Sequence, residues 1–193
     1  MTITKLEVRR KLIHMGSLVI PIGYAYVPKS SAMIPLLAVT GFFVFFDILR
    51  HHSRAIGLIY ENHLIGSVIR QRERSRLVGS TYFMMGTCLC VWLLDKPIAI
   101  VSLFVLIISD TIAALVGTTV GRIVLFGSKT LEGSVAFFLS ALLIVFVYPK
   151  VPFLWGVAGA VVATLVELLP LRIDDNLLIP LAMGFTIQGL ALG

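Results

Sequence analysis

The sequence predicts an all-α fold, a polytopic membrane helix bundle of about seven transmembrane helices with a cytoplasmic N-terminus, and three observations predict it. First, 58% of the 193 residues are hydrophobic and mean hydropathy is +1.00, far above values for globular chains. Second, apolar runs close to the roughly 20 residues that cross a bilayer fall at about 12–28, 32–49, 78–94, 97–120, 133–148, 151–169 and 177–192. Third, Lys and Arg segregate between alternate connections, thirteen to one side and only Lys29, Lys96 and Lys150 to the other, the asymmetry that places the rich side in the cytosol.

The runs are continuously apolar, with no period-two alternation, so helices are implied and not a barrel. The first run follows Lys5, Arg9, Arg10 and Lys11. It is read as a retained span and not a signal peptide, because no A-x-A-like site closes it and His14, Gly16 and Pro21 interrupt its apolar middle. Between the second and third runs, residues 51–77 carry Ile56, Ile59, Ile65, Val68 and Ile69 at helical spacing among arginines, the pattern of an amphipathic interfacial segment. In the third run Cys88 and Cys90 lie two apart on one helix, so they point apart and read as packing thiols. The whole chain, 1–193, reads as one integral membrane catalytic domain, and its compact length suits a prokaryotic plasma membrane. The net charge of +6 is a topology signal, and no nucleic acid is expected as a partner. Association with further copies of the chain is left open.

The fourth run contains an acid, Asp110, about 15 Å from the cytoplasmic end of its helix at 1.5 Å per residue. An ionised carboxylate there costs about 2.5–3.5 kcal/mol even on the lenient insertion scale, so it needs a partner. Asp110, Ala113, Ala114, Gly117, Thr118 and Gly121 form one helical strip, and every companion of the acid is small. Such a strip serves close helix packing or opens a wall to a ligand. With the acid on it, a cavity is the favoured reading.

Next, "GSKTLEG" (127–133) offers the Lys129 ammonium between turn-forming glycines, and Thr130 as an N-cap for the following helix. Free N–H groups at a helix N-terminus favour anions, and Glu132 is also explained by the helix dipole. This is not a P-loop, whose lysine follows its second glycine. At the N-terminus Glu7, Arg10, Lys11 and His14 share one helical face, and anchoring explains the bases but not His14. Near the last span Asp174, Asp175 and Asn176 read by default as a turn or cap, with Glu167 just before them. Together Glu7, Asp110, Glu132, Glu167, Asp174 and Asp175 stand on or within reach of one membrane face beside Arg10, Lys11, Arg122 and Lys129. Acids interleaved with bases suit a magnesium-bound polyphosphate, with oxygen ligands for Mg²⁺ and cations for the phosphates.

The order of these motifs is similar to a known family. E-x-x-R-K-x-x-H (Glu7, Arg10, Lys11, His14), "ERSRLVGSTYFMMG" (Glu73, Gly79, Tyr82, Gly86), "SDTIAALVG", "KTLEGS" and "DDNLLIP" resemble the dolichol kinase, phytol kinase and CTP-dependent diacylglycerol kinase family over nearly the whole chain. That family is related to the CDP-lipid synthases, but the synthases' H-G-G-x-x-D-R-x-D segment is absent where this chain reads "RIDDNLLIP". The resemblance implies a kinase that uses CTP and Mg²⁺ to phosphorylate a membrane lipid alcohol such as a polyprenol, phytol or diacylglycerol. It implies a catalytic role for Asp110, His14 and Lys129, with Asp110 holding Mg²⁺ and Glu132, Glu167, Asp174, Asp175 and Asn176 as further candidate ligands. Nucleotide and phosphate would meet Arg10, Lys11, Gly117, Gly121, Arg122, Lys129, Thr130, Glu132 and Gly133. Two alternatives stand beside it. One is a CDP-lipid synthase; the other is a small cation- or proton-coupled transporter using Asp110, although no inverted repeat is visible.

Overall fold

Proline sets the first departure from the expected pattern. In the computed structural model, which describes residues 5–52 and 77–192, the run at 12–28 is not one span. It is two helices, α1 (Lys5–Gly16) and α2 (Val19–Tyr26). Pro21 has no N–H to return to the Ser17 carbonyl, and its ring crowds that oxygen. The helix therefore breaks at Ser17 and Leu18, and Ile20 N–H takes the Ser17 carbonyl at 2.9 Å.

Helices occupy the other six apolar stretches: α3 (Lys29–His52), α4 (Gly79–Leu93), α5 (Lys96–Phe104) with α6 (Asp110–Thr119), α7 (Leu131–Val147), α8 (Phe153–Leu168) and α9 (Asp175–Leu192). A π-helical turn, Val105–Ser109, joins α5 to α6 without a break. Lys29–Arg50, Lys96–Thr119 and Asp175–Leu192 are long and apolar enough to cross a membrane, and α4, α7 and α8 are shorter apolar helices. The fold is an all-α helical membrane bundle. The expected interfacial segment at 51–77 falls, apart from its ends, outside the described residues.

Burial ranks the helices. Two thirds of the Lys96–Thr119 span is buried inside the protein, against 17% for α3 and 28% for α9. The α5–α6 rod is therefore the centre of the bundle, with Leu103, Val105, Leu106 and Ile107 sealed, and the other helices turn apolar faces such as Leu37, Phe45, Leu139 and Leu143 outward to lipid. Cys88 and Cys90 are buried free thiols, as expected for packing residues.

Long-range polar contacts fix the helix ends. Helix α4 begins without a local side-chain cap; instead Asp47 on α3 accepts from Val78 N–H at 2.7 Å and from the Thr81 hydroxyl at 2.8 Å, while Arg50 lies 2.7 Å from its other oxygen. Close by, a β-carbon on Gly86 would stand 2.7 Å from the Asn176 carbonyl, so only glycine lets α4 pass the start of α9. At the lysine-poor end, Lys29 donates to the Leu94 carbonyl at 3.3 Å and Lys96 to those of Ala25 and Val27 at 3.0 and 2.9 Å.

Between α6 and α7 a short antiparallel hairpin, β1 (Val124–Phe126) and β2 (Lys129–Thr130), interrupts the helical pattern. Gly127 opens its two-residue turn at φ +58°, a conformation that favours glycine and matches the twist of the paired strands.

Candidate active site

The acid in the fourth span begins α6, directly after the π turn, a kind of local widening common at functional sites. Its partner comes from the far end of the sequence. Lys11 Nζ donates to Asp110 Oδ2 at 2.6 Å and to the Asp110 carbonyl at 3.1 Å. One turn further along α1, His14 Nε2 stands 3.8 Å from the same carboxylate oxygen and 3.5 Å from the Leu106 carbonyl in the π turn. Its ring meets Phe83 edge-on at 5.6 Å. The i, i+3 spacing of Lys11 and His14 aims both at one target. Asp110 keeps 19% of its side chain exposed, so the acid is paired but not sealed.

A second cluster forms where the hairpin, α7, α8 and α9 converge. Lys129 on β2 donates to Glu167 Oε1 at 2.6 Å and to Asp175 Oδ2 at 3.0 Å, and the Ser134 hydroxyl donates to the other Glu167 oxygen at 3.2 Å. Burial works against charge on Lys129, but Asp175 and Glu167 more than offset it and raise its proton affinity well above that of an ordinary lysine. Asp110 contributes to the same effect, which makes the two clusters electrostatic neighbours.

The remaining candidates divide by what they touch. Thr130 caps α7, accepting from Gly133 N–H at 3.2 Å, as the sequence suggested. The strip expected to open a cavity packs instead: a β-carbon on Gly117 would stand 3.0 Å from the Thr130 hydroxyl, and one on Gly121 would strike the Gly117 carbonyl and lie 2.8 Å from Thr130. One on Gly133 would lie 3.0 Å from the Ala113 carbonyl. Thr130 and Gly133 thus pack closely against the glycines of the strip. Glu132 accepts the Ile123 N–H at 3.3 Å on each oxygen, tying the hairpin base to α7 beside exposed Arg122. Asp174 Oδ1 accepts from the Asn176 backbone and side chain at 3.0 and 2.7 Å, the cap reading of that stretch. Arg10 pairs with Glu7 at 3.1 Å on its own helix. Among the described residues, no three His, Cys, Asp or Glu side chains gather closely enough to hold a metal ion by themselves.

Sequence reading did not pick out Ser134 as the partner of Glu167, although it closes the quoted "KTLEGS". Nor did it mark the Asp47–Arg50 pair, which an acid within "FFDILR" and a base three residues on could have flagged.

Fold and site define a class, a helical membrane protein whose buried charges gather toward one end of the bundle. Known proteins carry this further. The chain is 34% identical to an uncharacterised protein of Rickettsia prowazekii over 186 residues, spanning 91% of this chain and 90% of that one. It is 26% identical to CTP-dependent diacylglycerol kinase 1 of Schizosaccharomyces pombe over 199 residues, spanning 91% of this chain and 89% of the kinase. With the enzyme of the same name from Eremothecium gossypii it shares 29% identity over 140 residues, 70% of this chain and 44% of the kinase. No family model and no solved structure matches the chain. The chain belongs to the family it shares with the Rickettsia protein, a family homologous to the CTP-dependent diacylglycerol kinases.

Proposed function

We propose that this protein is a CTP-dependent lipid kinase that moves the terminal phosphoryl group of CTP to a membrane lipid hydroxyl, releasing CDP. The observation that carries the reading is the pair of neighbouring charge clusters, Lys11 with Asp110 and Lys129 with Glu167 and Asp175, within a largely apolar bundle. Relatives named CTP-dependent diacylglycerol kinase support the nucleotide and make diacylglycerol the first acceptor to test.

Each part has a physical role. Lys11 and Lys129 supply the cationic charge that a transferring phosphoryl group requires. Both are ion-paired, so they are pre-positioned and their charge is partly balanced until phosphate arrives. The Lys129 ammonium bridging Glu167 and Asp175 marks a place built for a cation, and Mg²⁺ carrying phosphates needs only one or two protein carboxylates. One or two of Asp110, Glu167 and Asp175 thus fit Mg²⁺ with phosphates completing its shell; bound there, the ion would neutralise and orient phosphate oxygens. His14, within reach of Asp110, is the candidate to accept the lipid hydroxyl proton, a modest demand in a loose phosphoryl transition state. The preponderance of Lys and Arg on this side favours a cytosolic site where CTP is available.

Protein reconstituted with diacylglycerol, CTP and Mg²⁺ is expected to yield CDP and phosphatidic acid. Pyrophosphate with a CDP-lipid product would replace the kinase by a synthase. Cation counterflow without nucleotide turnover would replace both by a transporter.

A further inference from the structure

The hairpin between α6 and α7 is absorbed only in part by the site. Lys129 on β2 faces the acids, yet Ile123, Val124, Leu125 and Phe126 are four consecutive apolar residues exposed between 37% and 59%. Val120 and Leu131 extend the patch, and Arg122 stands exposed at its edge. Both faces of the strand are bare, which an element surrounded by water rarely tolerates.

Its position relative to the bilayer follows from the glycine strip. Thr130, at the hairpin base, packs on Gly117 and Gly121, and Leu131 N–H bonds the Ile123 carbonyl at 2.8 Å. The base therefore lies level with the last turns of α6, inside the Lys96–Thr119 span. Three strand residues reach about 10 Å at most from that level, and the polar zone on each side of the hydrocarbon is roughly 5–8 Å deep. The tip thus ends at or within the headgroup region. A two-strand hairpin leaves outer backbone groups that need water, which bars it from the hydrocarbon centre. Apolar side chains with wet backbone and a flanking arginine suit the interface with anionic lipid.

We infer that the Ile123–Phe126 edge of the hairpin is an interfacial insertion element, seated in the leaflet on the side where α6 ends, its occupant being the phospholipid surface of the chain's own membrane. Because β2 carries Lys129 on the same hairpin, lipid holds one end of a rigid unit whose other end holds the site lysine.

The test labels Leu125→Cys and, separately, Phe126→Cys with an environment-sensitive NBD dye in vesicles of equal phosphatidylcholine and phosphatidylglycerol. The parent chain, with Cys88 and Cys90 buried, serves as blank. Both labels are expected to emit blue-shifted light, with several-fold stronger quenching by a lipid nitroxide near the glycerol than by one at the chain end or by aqueous iodide. Water-like emission with iodide quenching at both positions would overturn the inference in favour of a cytosolic partner surface. Protection that fades as protein is diluted into excess lipid would overturn it in favour of a second copy. Neither readout involves turnover, so the result is independent of the kinase assignment.

Discussion

Two kinds of buried ion pair occur in this bundle. Asp47 with Arg50 is sealed, their side chains 1% and 8% exposed, and the carboxylate is committed to Val78 N–H, the Thr81 hydroxyl and the guanidinium. Asp110 with Lys11 and Asp175 with Lys129 retain open surface, up to 34% at Asp175, and draw their partners from distant parts of the chain. The first pair joins helix ends; under the proposed function the others hold charge where a ligand can meet it. Burial of a charge is thus no mark of function by itself.

The largest effect that can break this comparison is on turnover. Asp110→Asn is expected to lower the rate of lipid phosphorylation on the order of 10³-fold, the upper end of the loss when one electrostatic stabiliser of a transition state is removed, while thermal unfolding in detergent stays near that of the parent. A near-parental rate would remove Asp110 from the chemistry and make its pair with Lys11 structural.

Asp47→Asn should do the reverse. It leaves the Arg50 charge buried with a weakened partner, at a cost of about 3 kcal/mol in stability, with activity per folded molecule retained. Denaturant or thermal unfolding checks the first part and specific activity of the folded fraction the second. Loss of activity at unchanged stability would move Asp47 into the site and erase the contrast.

Much of the fold could be read from the sequence, whereas the contrast between these pairs could not, for definite reasons. Hydropathy and charge asymmetry are local sums, so the seven apolar stretches, the Thr130 cap and the need of Asp110 for a partner were legible. Which cation answers Asp110 depends on a pairing 99 residues apart, and no periodicity encodes that. The hairpin hid because Ile-Val-Leu-Phe is too short a run for periodicity to mark as a strand, and only Gly127 signals the reversal. The small strip beside Asp110 was ambiguous because packing and access ask for the same residues; only Thr130 standing against Gly117 and Gly121 decides for packing.

That decision has its own, smaller test. Gly121→Ala puts a methyl against the Gly117 carbonyl and Thr130, an overpacking expected to cost about 1–3 kcal/mol in unfolding free energy. If the strip instead lined an open ligand path, the alanine would leave stability unchanged and raise the KM for CTP.

The smallest expected effect is the absence of one. Lys129 binds its proton more tightly in the folded protein than an ordinary lysine does, because Asp175 and Glu167 outweigh its burial. A raised affinity means that the ion-pair contribution is fully present below the unfolded lysine value and is lost only as pH climbs through the higher, folded one. Lys129 therefore stays charged from neutrality to roughly pH 10. Arginine does not lose its proton in that range either, so the ratio of Lys129→Arg to parental rates should be flat across it, whatever geometric penalty the substitution carries. A ratio that rises with pH would mean that Lys129 is shedding its proton within the window, and that the two carboxylates hold it less firmly than distances of 2.6 and 3.0 Å imply.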